Sequence, residues 1–142
     1  MEQDILLDVL VTTPEGVRYE HHATSVTVPT IEGPYTFLRN HTPIIMPLKI
    51  GAVRVRRTFD DETSSDYIAI SSGIVEVSDN VVNIVVNTAE RARDIDISRA
   101  EDARIRAEEL LAQQDISSNE MQRVRIALNK AINRIGVADH KR

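Results

Sequence analysis

Residues 67–86 read YIAISSGIVEVSDNVVNIVV: three short runs rich in β-branched residues, at 67–70, 74–77 and 81–86, parted by small polar residues at 71–73 and 79–80. Runs of this length between turn residues are the pattern of strands joined by tight connections. The same period of two recurs towards the N-terminus, near 52–57, 35–38, 24–28 and 17–19, with breaks at 60–65, 40–43, 32–34 and 14–16. At the start of the chain, Ile5, Leu7, Val9 and Val11 alternate with Leu6, Asp8 and Leu10. Many short strands at close intervals predict an antiparallel β-sandwich or barrel.

The period changes after Glu90. Glycine and proline almost vanish, and apolar residues recur at intervals of three and four. Ile97, Ala100, Ala103, Ala107 and Leu110 form one stripe, and Met121, Val124, Leu128, Ala131 and Ile135 form a second. These predict two amphipathic helices. The segment 113–118 supplies the break, and Ser117 followed three residues later by Glu120 makes a capping box for the second helix. So short a link dictates an antiparallel hairpin. The division is therefore a β-domain over 1–89 and a helical hairpin over 90–142. The first stripe is mostly alanine, whose methyl contributes well under the roughly 1.5–3 kcal/mol of a buried large aliphatic side chain, so the hairpin is expected to be marginal and movable.

With 142 residues, 42% of them apolar, the chain can build a core without staples. Cysteine is absent, which removes disulfides and thiolate zinc sites. The start MEQDILLDVLVTTPEG is acidic where a signal peptide is basic, and its apolar run is too short for a membrane span. The reading is a soluble chain without direct membrane insertion. Residues 1–89 hold 6 Lys/Arg against 12 Asp/Glu, and residues 90–142 hold 11 against 10. That balance argues against a nucleic-acid partner.

No catalytic constellation is visible. GxSxG, HExxH and GxxxxGK[ST] are all absent. Among the four histidines, His21 and His22 are adjacent and on a strand point to opposite faces, so they cannot share a metal ion. His41, in LRNHTPIIMPLKIG, reads as a residue that fixes a loop, with no nucleophile or second acid near it in sequence. Neither a catalytic residue nor a metal site is assigned.

Arg99 and Arg106 are separated by almost two helical turns and leave one face roughly 10 Å apart. Lys130 and Arg134 share a face of the second helix. Were the two faces to meet, four cations would surround a space suited to a triphosphate, with Glu90 and Asp96 as acceptors for hydroxyls or an amine. Ordinary surface pairs account for the same charges, since Asp96 and Asp102 lie three residues from Arg99, and Asp102 and Glu109 lie near Arg106. Spacing alone favours this solvated face.

Taken in order, several pieces resemble the ε subunit of bacterial and chloroplast F-type ATP synthases. They are Leu7-Asp8-Val9 in the opening strand; Asn40-His41-Thr42-Pro43 followed by Leu48-Lys49-Ile50-Gly51; the stretch from Tyr67 through Ser71-Ser72-Gly73 to Glu76-Val77; Thr88-Ala89; and Ile95-Asp96-Ile97-Ser98-Arg99-Ala100. The resemblance implies a ten-stranded antiparallel β-sandwich followed by two antiparallel helices. It further implies a non-catalytic central-stalk subunit that docks on the γ subunit and the c-ring. The hairpin of such a subunit lies folded on the sandwich or extends towards the α/β catalytic head, where it restrains ATP hydrolysis. The setting implied is the cytoplasmic face of a bacterial plasma membrane, within a peripheral complex. No cofactor is required.

Some members bind ATP as a regulatory ligand in the folded hairpin, through an I/L-D-x-x-R-A motif and a second arginine seven residues on. Ile95, Asp96, Arg99, Ala100 and Arg106 match that pattern, Glu90 matches the acidic residue before it, and Arg134 matches the distal arginine of the second helix. Lys130 stands where strong binders have arginine, which keeps the charge but loses the bidentate fork. Whether magnesium accompanies the nucleotide is left open by these residues. At Glu32-Gly33-Pro34-Tyr35-Thr36 the chain departs from the family's turn, so ring-contact residues are not carried over, although docking through the same edge is implied. A second reading that pattern leaves open is a stand-alone ligand-binding β-sandwich whose helices dimerise it as a small coiled coil.

Overall fold

In the computed structural model, which describes residues 6–58 and 65–141, alternation of branched and polar residues resolves into ten strands. They are β1 (Leu7–Thr13), β2 (Gly16–Ala23), β3 (Ser25–Thr30), β4 (Gly33–Phe37), β5 (Ile44–Leu48), β6 (Gly51–Arg56), β7 (Ser65–Ile70), β8 (Gly73–Ser78), β9 (Val81–Val86) and β10 (Ala89–Arg91). Seven of the expected runs and the opening one coincide with strands. The strands β5 and β10 fall where the pattern shows none: β5 carries Pro47, and β10 has only three residues. Of the break expected at 60–65, residues 60–64 lie outside the described residues.

The ladder runs β10-β7-β6-β3-β5-β8-β9-β1-β2, with β4 on the free side of β3. Its two halves are joined through one β3–β5 partner pair, Thr30 with Leu48, so the sheet folds over at that point into two layers. The far end closes as well, because β10 comes back beside β1 and β2. The result is a sandwich close to a barrel. Every pairing is antiparallel except β1 with β9, which is parallel. These strands lie at opposite ends of the domain sequence and need no hairpin between them, which is the condition for a parallel pair.

Period two sends Leu7, Val9 and Val11 inward from β1, Val26 and Val28 from β3, Val53 and Val55 from β6, Val75 and Val77 from β8, and Val82, Ile84 and Val86 from β9. Phe37 is the largest wholly buried side chain among them. Between β8 and β9, Asp79 and Asn80 both have positive φ, 51° and 63°. This is the two-residue turn whose twist suits a hairpin, and Asp and Asn tolerate it through local hydrogen bonding.

Beyond β10 a single 3₁₀ turn (Ala92–Asp94) leads into α1 (Ile97–Leu111), and residues 112–117 turn the chain into α2 (Ser118–Ala138). The 89/90 division thus falls inside β10. Ser117 accepts from the Glu120 amide at 3.2 Å, the forward half of the expected capping box. Along the two expected stripes Ala100, Ala107 and Ala131 are buried and form the centre of the seam, while Ala103, Met121, Val124, Leu128 and Ile135 are half-buried. Ile97 and Leu110, expected in the first stripe, are each 42% exposed, whereas Leu111, one residue further on, is half-buried. A second small apolar cluster holds the hairpin to the sandwich: Ala69 of β7, Ala92, Ile95, Val137 and Ala138, with Tyr67 against it.

Gly73 opens β8 where a Cβ would stand 2.1 Å from the Val85 carbonyl oxygen and 2.8 Å from the Val86 Cα. Backbone cannot give way there as a side-chain tip would. Gly73→Ala is therefore expected to destabilise the protein by about 1–3 kcal/mol, read as a lower urea midpoint with an unchanged m-value.

Candidate functional site

Asp96 does not begin α1 by accident: its carboxylate accepts from the Arg99 amide at 3.2 Å and caps the helix. A carboxylate at this position also meets the positive end of the helix dipole. That bond uses only the Arg99 backbone, and the residue is exposed. Arg106 is exposed too, its Nε donating to the Asp102 carbonyl oxygen at 3.5 Å.

The acids of α1 go elsewhere. Arg104 stands three residues after Glu101 and four before Glu108, and it takes both, at 2.8 Å each. Those two carboxylates hold its guanidinium above the ordinary arginine range. Asp96 and Asp102 make no ion pair with Arg99 or Arg106 among the described residues. The surface-pair account of the four charges therefore fails for these two arginines, and a different arginine, which spacing had not singled out, carries the helix's ion pairs.

Helical geometry then decides which way the cations face. In an antiparallel pair of right-handed helices, the residue just before a seam position leaves both helices on the same flank, 100° from the seam. Arg99 and Arg106 each precede a seam alanine, Lys130 precedes Ala131, and Arg134 follows Ala131 by three residues, on that same flank. Leu111 and Ser118 bound the turn, so equal steps back from each bring Arg99 level with Lys130. Arg106 lies roughly 10 Å nearer the turn.

Arg134 meets the sandwich: its Nε stands 3.6 Å from Oε2 of Glu90 on β10. Both groups are partly exposed, so the pair contributes at most the roughly 0–1 kcal/mol of a surface ion pair. Lys130 and Arg134, with Asn133, Ala69, Ile70, Ser71 and Thr88, line a crevice of about 10 Å³, room for about one water. Ile95 is buried against Val137, and Ala100 is buried in the seam. The structure thus joins Glu90 to Arg134 and sets Arg99, Arg106, Lys130 and Arg134 on one flank.

Contacts that spacing gave no hint of hold the far end of α2 to the sandwich. Asn133 donates to the Gly51 carbonyl oxygen at 2.9 Å. Lys141 donates to the Ile95 carbonyl oxygen. The rings of His140 and Tyr67 stack with centroids 3.7 Å apart and planes 9° from parallel. The partners are 46 to 82 residues apart in each hydrogen bond, so no local signal announces them. His41 is held as a loop residue, its Nδ1 bonded to the Thr42 carbonyl oxygen at 2.6 Å and its Nε2 to the Tyr35 hydroxyl at 2.8 Å. Among the described residues no three His, Asp or Glu side chains gather closely enough to hold a metal ion, and no helix is long and apolar enough to cross a membrane.

A β-sandwich that carries an antiparallel helical hairpin, with a cationic flank on the hairpin, is the class these features define. The model for the β-sandwich domain of the ATP synthase delta/epsilon chain matches residues 6–92, and the model for the long α-helix domain of the same chain matches residues 93–139. The ATP synthase epsilon chain of Latilactobacillus sakei subsp. sakei (strain 23K) is 47% identical over 141 residues, covering 98% of this chain and 97% of that one. The chain belongs to the ATP synthase delta/epsilon family, as an ε-type subunit of an F-type ATP synthase.

Solved structures share the fold. A chain of the Euglena gracilis mitochondrial ATP synthase, in a structure of OSCP, F1 and c-ring, superposes with a TM-score of 0.75 at 22% identity, over 90% of this chain and 78% of that one. A chain of the Tetrahymena thermophila mitochondrial ATP synthase central stalk and c-ring superposes with a TM-score of 0.60 at 16% identity, over 92% and 95%.

Val137 is 2% exposed in the cluster that seats the hairpin. Val137→Asp would bury an unpaired carboxylate there, which is unfavourable by several kcal/mol unless the helices lift away. Small-angle scattering is expected to show a larger radius of gyration for the variant, while the β-domain keeps its far-UV signature.

Proposed function

We propose that the chain is a regulatory, non-catalytic subunit of the central stalk, docking on γ and the c-ring and carrying a hairpin whose extended form restrains ATP hydrolysis by the α/β head. The setting proposed is the cytoplasmic face of a bacterial plasma membrane. Support for docking comes from the outer face of the layer β5-β8-β9-β1-β2. Register aligns Pro47, Ile74, Val85 and Thr12 across four strands, with Ile74 and Val85 both exposed and Val17 exposed on β2 beyond them. A row of apolar side chains left in water suits a protein partner.

The proposal extends to ATP as the ligand that favours the folded hairpin. Its main support is the pair Arg99 and Arg106, which make no ion pair among the described residues and face the same flank as Lys130 and Arg134. Four cations along some 10 Å of helix suit a chain of phosphates better than a single one. The crevice beside Lys130 is too small for a nucleotide, so the nucleotide sits on the open flank, with Glu90 and Asp96 as acceptors. Lys130 supplies a point charge in place of a fork, which weakens the site.

A ligand that binds only the folded hairpin favours it by RT ln(1 + [ATP]/Kd), about 1.4 kcal/mol at tenfold excess. That is enough to tip a balanced equilibrium. Titration of the isolated chain with ATP is expected to shift the amide resonances of α1 and α2 and to raise the thermal midpoint by about 3–6 °C. Arg99→Ala or Arg106→Ala abolishes both effects. Absence of any response at millimolar ATP removes the sensing role, whereas recovery of γ and the catalytic head with a tagged chain tests the docking role separately. A clean homodimer in that pull-down would favour the stand-alone reading.

A further inference from the structure

Beside β10 and the Tyr67 end of β7 lies a second cationic cleft that the nucleotide reading does not use. It is lined by Arg57 beyond β6, Asp66 and Tyr67 of β7, Arg91 of β10, Arg93 of the 3₁₀ turn and His140 beyond α2. Its volume is about 190 Å³, well above the ~10–15 Å³ one water requires and below the ~300 Å³ where pockets for drug-sized ligands begin. That volume suits a small ion better than a nucleotide.

Among the described lining residues Arg57 pairs with the one carboxylate, Asp66, while Arg91 and Arg93 make no ion pair, so these two are the cations that favour an anion there. Asp66 accepts from the Tyr19 hydroxyl at 2.6 Å, and Arg57 Nε lies 3.4 Å from the same carboxylate oxygen. Burial, and after it the Asp66 carboxylate, pushes the Tyr19 phenol above its ordinary range, so it stays a donor to Asp66. Arg91 lies over the Tyr19 ring, 5.2 Å from its centroid, a contact that orients the guanidinium without neutralising it. Arg93 is exposed and makes no ion pair among the described residues. Asp94 and Asp139, beside Arg93 and His140 in sequence, are exposed and do not line the cleft.

We infer that this cleft is a binding site for inorganic phosphate, separate from the flank of Arg99 and Arg106. Planar guanidinium forks match a tetrahedral oxyanion. The carboxylate of Asp66 sets the preference among oxyanions: near neutral pH phosphate still carries a proton to present to a carboxylate, and sulfate carries none. The cleft also has a conformational consequence. Arg91 and Arg93 sit in the connector at the root of the hairpin, whereas His140 arrives from the end of α2 and closes one wall by stacking on Tyr67. The site is complete only with the hairpin folded, so phosphate favours that state.

The test is an NMR titration of the full chain with inorganic phosphate, following the ring resonances of His140, against sulfate and chloride at matched ionic strength. A saturable shift with phosphate, and a much smaller one with sulfate, is expected. Arg91→Gln with Arg93→Gln weakens the phosphate response about tenfold or more, and Arg93→Gln alone, at an exposed position that leaves folding intact, weakens it severalfold. Arg99→Ala and Arg106→Ala leave it unchanged, which separates this site from the nucleotide reading. Equal responses to phosphate, sulfate and chloride, persistence of the shift in the double variant, or its loss in Arg99→Ala would each overturn the inference.

Discussion

The small apolar cluster around Ile95 and Val137 is the contact on which the folded position of the hairpin depends. Among the described residues it brings two large aliphatic side chains together with three alanines, where the sandwich core gathers eighteen buried residues. Each large aliphatic side chain contributes about 1.5–3 kcal/mol on burial, and an alanine much less. Around this cluster stand the Asn133, Lys141 and Arg134 contacts and the Tyr67–His140 stack, each of modest worth at a partly exposed site. Seam alanines bring the helices close without adding much burial. The β-domain therefore carries an element that is docked by a few small terms, and on the proposed function ligands worth about one or two kcal/mol decide whether it stays docked.

Both candidate ligand sites follow from that arrangement. The flank of Arg99, Arg106, Lys130 and Arg134 spans both helices, with Arg134 tied to β10 through Glu90. The cleft of Arg57, Arg91 and Arg93 is closed by His140. Each candidate site draws groups from the hairpin and from the β-domain or its connector, so on the proposed function occupancy and docking are linked. Glu90 and Arg91, successive residues of one three-residue strand, serve the two candidate sites.

Much of the fold is legible in the sequence, for reasons that differ between elements. Alternation over Leu7, Val9 and Val11, and over Val82, Ile84 and Val86, marks half-buried strands because one face meets the core and the other meets water. β5 escapes this pattern because Pro47 and the preceding Pro43 read as loop, although its partner β8 pairs it over five residues. β10 escapes because three residues cannot show a period, and its place is set by pairing to β7. The parallel β1–β9 pair lies beyond any local reading. In the hairpin, the alanine seam is where the helical stripe places it, but the terminal Ile97 and Leu110 are left in water.

The candidate site was legible in residue type and spacing and not in pairing. Which arginine of α1 takes the carboxylates depends on offsets of three and four residues together with rotamers, and Arg104 satisfies both Glu101 and Glu108 at once. The contacts of His140, Asn133 and Lys141 join residues far apart in the chain and have no local signature. The measurement that tests the account most directly is native-state hydrogen exchange. Amides of α1 and α2 are predicted to exchange through an opening several kcal/mol easier than that of β1, β8 and β9. Equal opening free energies for hairpin and sandwich would contradict it, since the two would then unfold as one unit.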